Sequence, residues 1–303
     1  MMGNTNAPVL ELRNVTKQFA TKLAVNGVSF KVEQGDIVGM VGPNGAGKTT
    51  TIRMLLDIIR PDSGEIRVFG GPLTEEAKDR IGYLPEERGL YRDRRVWNTL
   101  MYLASLKGVD THTAAERAGR LLETLGMEGS RNSKVKELSR GMGQLIQFVA
   151  TVIHNPRLVI LDEPFSGLDP VNVRLVKSVI AQYREQGTTF MLSTHQMGQV
   201  EELCDRVVMI DRGEVVLNGG LQEVKRRFGD NAIHVVCDHV PDGLPGVISR
   251  KQQNGFWELS LAQGTRHGDV LRTLLERGVE VERYEVALPS LEEIFVRVVR
   301  GRR

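Results

Sequence analysis

The sequence predicts an α/β fold built on a mostly parallel sheet. Apolar runs of four or five residues alternate with amphipathic segments of helical length as far as residue 210. Two of these runs, 37–41 and 158–161, are apolar throughout, which is typical of strands that are buried on both faces. A glycine-rich loop joins the first run directly to a helical segment, as in the strand, loop and helix units of parallel sheets.

The alternating segments can be assigned in chain order. The first predicted elements are strands at 9–12, 23–25, 28–32, 37–41 and 66–69, with turns at Gly27 and 34–36, and a helix over 50–59. Leucine spacing predicts that residues 95–125 are mainly helical. The next predicted elements are helices at 143–153, 172–186, 199–203 and 221–228 and strands at 158–161, 188–193 and 206–210.

The pattern of elements changes near Gly229-Asp230, where we predict a domain boundary. Residues 230–303 combine short strands with two helices, so we expect a small α+β unit. Its strands are predicted at 233–237, 256–261 and 279–287, and its helices at 266–277 and 290–300. Ser290 is the expected N-cap of the last helix.

Composition argues against several classes of protein. The 40 lysine and arginine residues nearly balance 38 aspartate and glutamate residues, a net charge of +2, which argues against a dedicated nucleic-acid-binding protein. The two cysteines, Cys204 and Cys237, fit a reducing compartment. The N-terminus lacks a secretory signal, and no apolar run approaches the roughly 18 residues of a membrane-spanning helix. At a membrane, another subunit would have to hold this chain.

The glycine-rich loop has the spacing of a P-loop. It reads Gly42-Pro43-Asn44-Gly45-Ala46-Gly47-Lys48-Thr49 and leads into Thr50. Small residues let backbone N–H groups curl around a polyphosphate at the positive end of a helix. We expect Lys48 to bridge the β- and γ-phosphate oxygens and Thr49 to ligate Mg²⁺.

Two carboxylates follow the second buried strand. The run 158–161 ends in Asp162-Glu163. We expect Asp162 to hold Mg²⁺, directly or through water, and Glu163 to polarise an attacking water molecule. Taken alone, the same run is also compatible with a strand that merely reaches the surface, and the glycine-rich loop argues against that interpretation.

With these two motifs, residues 9–220 resemble the nucleotide-binding subunit of an ATP-binding-cassette (ABC) transporter. The segment Leu138-Ser139-Arg140-Gly141-Met142-Gly143-Gln144, here called the signature loop, is similar to the Leu-Ser-Gly-Gly-Gln signature of that family. Ser139 and Gly141 are retained, whereas Arg140 and Met142 replace a glycine and the glutamine. The resemblance implies that this loop begins a helix and caps the γ-phosphate of ATP bound to the opposite subunit.

Three further segments match the family. Ser166-Gly167-Leu168-Asp169 is similar to the loop that crosses the dimer interface, and His195 to a switch histidine that contacts the γ-phosphate. Phe19 matches the aromatic residue that stacks on adenine. A lone histidine or phenylalanine is more often structural, so the order and spacing of the matches carry the resemblance.

One position departs from the family pattern. Glu86 aligns with a glutamine that reaches Mg²⁺ and water and links to the membrane subunit. Glu86 can also ligate Mg²⁺ but adds a negative charge, so either it substitutes for the glutamine or the position works differently. The following Glu87-Arg88-Gly89-Leu90-Tyr91 resembles exporter-type subunits, including sodium- and drug-efflux ATPases, which carry a small C-terminal domain.

The resemblance implies an ATPase subunit with two domains. A P-loop core with an antiparallel N-terminal β-subdomain and a helical subdomain at about 90–155 would occupy 9–229, and an α+β accessory domain 230–303. ATP and Mg²⁺ would bind between two such subunits, identical or different, at the cytoplasmic face of the membrane. Their closure would drive export through separate transmembrane permease subunits, with no nucleic acid as partner. Two alternatives stay open: a non-transport ABC ATPase switch, and a nucleotide-binding regulator without hydrolysis.

Overall fold

The computed structural model describes residues 7–87, 89–253 and 255–301. Arg88 of the exporter-like segment and the first six residues of the polar N-terminus therefore lie outside the described residues. Contacts within the chain separate it into two units, one ending at Gly220 and one beginning at Leu221. Along the described ranges, no helix is both long enough and apolar enough to cross a membrane.

The first unit contains nine strands and seven α-helices within the described residues. The strands are β1 (Leu10–Phe19), β2 (Lys22–Val32), β3 (Ile37–Val41), β4 (Ser63–Val68), β5 (Ile81–Leu84), β6 (Leu158–Asp162), β7 (Thr189–Thr194), β8 (Arg206–Asp211) and β9 (Glu214–Gly220). The helices are α1 (Lys48–Leu55), α2 (Glu75–Asp79), α3 (Val96–Leu106), α4 (Thr111–Thr124), α5 (Arg140–Val152), α6 (Pro170–Glu185) and α7 (Met197–Leu203), with 3₁₀ turns at Glu128–Ser130 and Val135–Glu137.

A six-stranded sheet forms the centre of the first unit, in the order β5-β6-β7-β3-β8-β9. All its strand pairs are parallel except β8 with β9. This confirms the mostly parallel sheet and the α/β class. Strands β3 and β6 are buried along their whole length because other elements cover both faces of the sheet. Register pairs Val41 with Thr194 and Asp162 with Ser193, so β3, β6 and β7 end at one edge.

An antiparallel sheet in the order β2-β1-β4 packs on this centre. In the middle strand, Leu10 is paired with Val32 on one side and Val68 on the other. These three side chains belong to the same hydrophobic core as Ile52 of α1 and Met40 of β3. The shared core fixes β1 and β2 against the helix that follows the glycine-rich loop.

Helices α3, α4 and α5 contact one another and form the helical part of this unit. Two of them begin with side-chain caps: Asp110 accepts a hydrogen bond from the backbone of Thr113 at 3.0 Å, and Ser139 accepts one from Met142 at 3.2 Å. The signature loop therefore contains the N-cap of α5 and continues into the first turn of that helix. Helix α5 is buried from Gly143 through Val149, which anchors the capped end to the unit.

The second unit is an α+β arrangement around its own antiparallel sheet, ordered β11-β12-β10-β13. Its elements are α8 (Leu221–Phe228), β10 (Ala232–Cys237), β11 (Val247–Gln253), β12 (Phe256–Leu261), α9 (His267–Glu276), β13 (Val281–Val286) and α10 (Leu291–Arg300). Ile233, Leu259 and Leu274 lie in a separate hydrophobic core. Ser290 caps α10, and the Glu293 carboxylate accepts a hydrogen bond from the Ser290 backbone in return.

Helix α8 belongs with the second unit, although the sequence pattern changes only at Gly229-Asp230. The helix contacts α10, and Arg297 of α10 donates to the carbonyl oxygen of Phe228 at 3.0 Å. Arg297 also pairs with Asp230 at 2.9 Å. These contacts tie α8 to the residues that follow it, so the division by contacts lies at Gly220.

The first predicted helix and the N-terminal strands have different limits in the structure. The helix predicted over 50–59 begins at Lys48 and ends at Leu55, because Asp57 adopts a left-handed φ of 57° that a helix cannot continue through. The strands predicted at 23–25 and 28–32 form one strand, β2, which passes through Gly27 with a φ of 62°. Glycine tolerates this conformation without a steric penalty.

Four helices or strands were not predicted: α2, β5, β9 and β11. Helix α2 has only five residues, too few for an apolar period to be visible. Strand β5 has four residues and contains Gly82. Strand β11 lies at the edge of its sheet with nearly all its side chains exposed, so its sequence lacks apolar alternation.

His154, just after α5, gives the first unit a testable pH dependence. Its Nε2–H donates to the Ile81 carbonyl oxygen at 3.2 Å, and burial lowers its pKa from 6.5 to about 4. Between these two pH values the unfolded chain binds a proton that the folded chain does not. The free energy of unfolding should therefore fall as pH falls from 6.5 to 4, by about 2 kcal/mol between pH 7 and pH 5 from this residue.

Chemical denaturation at pH 7 and pH 5 measures this effect. His154→Gln keeps a donor for Ile81 but cannot titrate, so it should lose less stability over that interval than the wild type. His112→Gln, at an exposed position of α4, is the matched control and should behave as the wild type. An unchanged pH dependence in His154→Gln would contradict the assignment.

Candidate functional site

The glycine-rich loop connects the buried end of β3 to the first turn of α1. Gly47 is the N-cap of α1 and has a φ of 109°, a conformation that L side chains rarely adopt. A Cβ atom at Gly47 would lie 2.5 Å from the carbonyl oxygen of Ala24, and one at Gly42 would lie 2.1 Å from that of Ile210. Glycine is required at both positions because the backbone passes against neighbouring strands.

Lys48 places a buried positive charge under this loop. The residue is only 7% exposed, and its ammonium donates to the carbonyl oxygens of Gly42 at 2.7 Å and Pro43 at 3.2 Å. Burial lowers the pKa of Lys48, whereas the charges of Glu163, Asp162 and Glu86 oppose this shift. The ammonium therefore lies between loop carbonyls and a group of carboxylates.

Asp162 ends strand β6 at the same edge of the sheet. Burial raises the pKa of its carboxyl above the ordinary value, and the neighbouring hydroxyls of Ser193 and Thr49 oppose the shift. Its Oδ2 atom is buried and has no hydrogen-bond partner among the described residues. A buried acceptor without a donor is costly, and a cation is the kind of group that would compensate it.

Glu163 is held in a strained position directly after β6. Its φ of 50° is unusual for a residue with a side chain, and such strain often occurs at functional sites. Its backbone N–H donates to the Ser193 carbonyl oxygen at 2.8 Å. Its carboxylate accepts hydrogen bonds from the Thr194 hydroxyl at 3.0 Å, the His195 backbone at 3.0 Å and the His195 ring Nδ1 at 2.7 Å. The end of β7 thus fixes the direction of this carboxylate.

These groups face one cleft of about 390 Å³. The lining residues come from the end of β1, the start of β2, the glycine-rich loop and start of α1, the segment after β5, and the ends of β6 and β7: Phe19, Lys22, Ala24, Asn44, Gly45, Gly47, Lys48, Thr49, Thr50, Glu86, Asp162, Glu163 and His195. Phe19 is 46% exposed, so its ring is available for contact. Gly42, Pro43 and Ala46 lie outside this lining, in the part of the loop that supports Lys48.

Sequence reasoning missed Lys22 and Ala24 as members of the lining. Lys22 pairs with Phe19 across the turn between β1 and β2, so both residues lie at the same end of the hairpin. In the sequence, the one sign that Lys22 and Ala24 belong to the site is that they follow closely after Phe19. It becomes informative only when the two strands are known to pair.

The residues of the cleft can accept a magnesium ion. Thr49 supplies a hydroxyl and Asp162 a carboxylate with an unpaired buried oxygen, and both are hard oxygen ligands. Over the described ranges, no three His, Cys, Asp or Glu side chains are arranged to enclose a metal by themselves. Magnesium usually binds through one or two protein oxygens and completes its shell with water and phosphate, so this donor set fits it.

The signature loop is not part of this cleft. Ser139 and Gly143 instead line a separate cavity of about 350 Å³ together with Arg92 and Lys136. Gly141 lies beside the segment 166–169, where its Cβ atom would be 3.2 Å from the Gly167 carbonyl oxygen. Asp169 of that segment caps α6 through hydrogen bonds from the backbone of Val171 and Asn172. Within one chain, the residues predicted to contact phosphate therefore lie in two separate places, the cleft and the cavity beside the signature loop.

A groove of about 320 Å³ lies between β5 and the helices α3 and α5. Its walls are largely apolar, with Leu90, Leu103 and Leu106 on one side. Leu106 is mostly exposed. The groove begins directly beside the segment that carries Glu86.

Comparison with known proteins agrees with this geometry. The ABC transporter family profile matches residues 25–166, and the profile of the C-terminal domain of DrrA1-3-like ATP-binding proteins matches residues 219–299. An uncharacterized ABC transporter ATP-binding protein of Bacillus subtilis, YhaQ, is 38% identical over 96% of this chain and 98% of its own length.

Two relatives have more specific names. The linearmycin resistance ATP-binding protein LnrL of Bacillus subtilis is 36% identical over 95% of this chain and 97% of its own length. The Nod factor export ATP-binding protein I of Burkholderia orbicola is 37% identical over 70% of this chain and 71% of its own.

A solved ATP-binding subunit of an ABC transporter has the same fold as the first unit. It superposes with a TM-score of 0.69 at 30% identity and covers 73% of this chain and 93% of its own length. YhaQ and LnrL cover nearly the whole chain, and both parts of the chain match profiles of this group. The chain therefore belongs to the family of ABC transporter ATP-binding subunits, the ATPases of that transporter class.

Proposed function

We propose that this chain binds and hydrolyses Mg²⁺·ATP in the cleft, and so powers export through separate transmembrane permease subunits. The observation that carries the proposal is the convergence of Lys48, Asp162, Glu163 and His195 on one cleft beside the glycine-rich loop. These side chains come from distant parts of the sequence. Such a set of groups is what phosphoryl transfer to water requires.

In this proposal the loop and Lys48 hold the phosphates. Backbone N–H groups at the start of α1 point toward the anion, and the helix dipole adds to the attraction. The Lys48 ammonium neutralises negative charge on the β- and γ-phosphate oxygens, while Phe19 stacks on the adenine. Mg²⁺, held by Thr49 and Asp162 with Glu86 nearby, would neutralise charge on the same phosphates.

Glu163 is the proposed general base. Hydrogen bonds from Thr194 and His195 hold its carboxylate at the edge of the cleft, where it would accept a proton from the attacking water. His195 is bonded to Glu163 and half exposed, so it can contact both this carboxylate and the γ-phosphate. Removal of the γ-phosphate would then change the hydrogen bonds that His195 makes at the end of β7.

We propose that a second ABC subunit completes the site. Ser139 and Gly141 lie outside the cleft of their own chain, yet they lie at the N-terminus of α5, the positive end of that helix. Two copies facing each other would place the signature loop of one against the phosphates of the other. ATP would then bridge the subunits, and its hydrolysis would let them separate.

The export role rests on the relatives. One is named for linearmycin resistance and one for Nod factor export, and both are ATP-binding proteins. We propose that the groove beside Glu86 receives a cytoplasmic segment of a permease and that the chain works at the cytoplasmic face of the membrane. The ATP-binding domain predicted over 9–229 would correspond to the first unit, and the accessory domain predicted over 230–303 to the second unit, which also includes α8.

A regulator without turnover is the alternative that a specific observation favours. Glu86 replaces the family's glutamine, and the signature loop lacks its usual glutamine. The set Lys48, Asp162, Glu163 and His195 argues against it, because a regulator needs no base. A measurement of ATP hydrolysis by the purified chain distinguishes the proposed ATPase from a regulator without turnover.

Replacing the proposed base tests the chemistry. Glu163→Gln keeps the size of the side chain but cannot accept the proton, so steady-state ATP hydrolysis should fall at least about a hundredfold while ATP binding persists. Phosphate release and equilibrium ATP binding measure the two effects. Glu185→Gln, at an exposed position of α6, is the control and should retain activity. Equal hydrolysis in Glu163→Gln and the wild type would contradict this role.

Mixing two inactive variants tests the shared site. Lys48→Ala removes the phosphate contact and Ser139→Arg blocks the signature loop, so each variant alone should be inactive. In a mixed dimer, one of the two sites combines the intact glycine-rich loop of the Ser139→Arg chain with the intact signature loop of the Lys48→Ala chain. Combining the two variants should therefore restore part of the wild-type activity. If the mixture stays as inactive as its components while wild-type homodimers hydrolyse ATP, the site is not shared between copies.

A further inference from the structure

The side-chain amide of Gln147 joins helix α5 to the segment that carries Glu86. Gln147 is only 4% exposed and lies two turns beyond Ser139 on the same helix. Its Nε2 donates to the carbonyl oxygen of Pro85 at 3.1 Å and to that of Glu87 at 3.2 Å. One buried amide therefore holds the backbone on both sides of Glu86.

This segment has little regular structure to fix it. It follows β5, which ends at Leu84, and Glu86 itself is exposed. Yet the charge of Glu86 acts on both Lys48 and Asp162 at the cleft. The distance of the Glu86 carboxylate from these two groups depends on the position of its backbone. The hydrogen bonds from Gln147 hold that backbone in place.

The hydrogen bonds that the Gln147 side chain donates both go to the segment that carries Glu86. Its Oε1 atom is buried and has no hydrogen-bond partner among the described residues. Leucine or methionine would fill the same space in a largely buried helix face without an unpaired acceptor. The amide therefore carries a cost that packing alone does not explain, and the two bonds to Pro85 and Glu87 are what it provides.

We infer that Gln147 is a positioning residue for Glu86, and that it sets the divalent-cation affinity of the ATP site through the placement of that carboxylate. The inference rests on the proposed Mg²⁺·ATP function of the cleft. Because Gln147 and Ser139 are on one helix, the same contact ties the Glu86 segment to the end of α5 that bears the signature loop. Gln147 does not line the cleft, so it would act only through Glu86.

The test uses electron paramagnetic resonance to measure how tightly Mn²⁺, a spectroscopic substitute for Mg²⁺, binds to the full chain in the presence of ATP. Gln147→Met removes both donors at nearly constant length, and Gln147→Glu replaces the donor with a carboxylate. Each should weaken Mn²⁺ binding about three- to tenfold, the effect of losing one or two net hydrogen bonds. Amide hydrogen exchange at Glu86 and Glu87 should rise in the same variants while β6 stays protected.

Thr151→Val is the matched control. Thr151 is buried on the same helix, and its hydroxyl donates to the backbone carbonyl oxygen of Gln147 at 2.9 Å. The hydroxyl also lies 3.3 Å from the Tyr83 carbonyl oxygen, before the Glu86 segment, and makes no bond to the Gln147 side chain. The change should destabilise the fold without altering Mn²⁺ affinity. An equal loss of Mn²⁺ affinity in Thr151→Val would assign Gln147 a general structural role and overturn the inference.

A double-mutant cycle with Glu86→Ala decides whether Gln147 acts through Glu86. When Glu86 has no carboxylate, Gln147→Met should change Mn²⁺ affinity less than about twofold, because coupled residues are not additive. Additive effects, or no effect of Gln147→Met in the wild-type background, would overturn the inference. If the wild-type chain bound no Mn²⁺ with ATP, the proposed function itself would be wrong and the inference with it.

Discussion

The buried positive charge of Lys48 is the constraint on which the site depends. Burying an ammonium is costly unless oxygen atoms surround it. Here the carbonyl oxygens of Gly42 and Pro43 accept hydrogen bonds from it, and the carboxylates at the ends of β5 and β6 face it. The loop must curl tightly to bring those carbonyls into place, which is why Gly42 and Gly47 leave no room for a Cβ atom.

The sheet supplies the other half of this arrangement. Because β3, β6 and β7 are parallel and end at one edge, the loop, Asp162 and the Thr194-His195 pair meet without any side chain having to extend far. Glu163 is then fixed from β7 in a strained backbone conformation. The cleft therefore collects two lysine ammonium groups and three carboxylates. Phosphates would pair with the ammonium groups, and the metal with the carboxylates.

The sequence predicted what depends on local pattern and spacing. The strands at 158–161 and 256–261, the glycine-rich loop and the α/β class followed from apolar runs and motif spacing, and the fold class and family were confirmed. The roles of the individual site residues stay predictions. Gly141 and Ser139 could be placed at a helix start, but a single chain cannot tell which phosphate they would meet.

What the sequence could not predict arises from contacts between distant segments. Strand β11 is polar because it is an edge, and helix α8 belongs with α10 only through contacts to Arg297. Lys22 enters the cleft lining only because β1 and β2 pair. Gln147 lies within a predicted helix, but only the fold brings its amide to the carbonyl oxygens of Pro85 and Glu87.

The most direct test of the central claim is the affinity of the purified chain for ATP with and without the Lys48 ammonium. Equilibrium binding should show that Lys48→Met loses at least about tenfold in affinity, since a hydrogen bond to a charged group is removed from the phosphates. Lys251→Met, exposed on β11, should bind as the wild type does. Equal ATP affinity in Lys48→Met and the wild type would contradict the claim that this cleft is built around a phosphate-binding lysine.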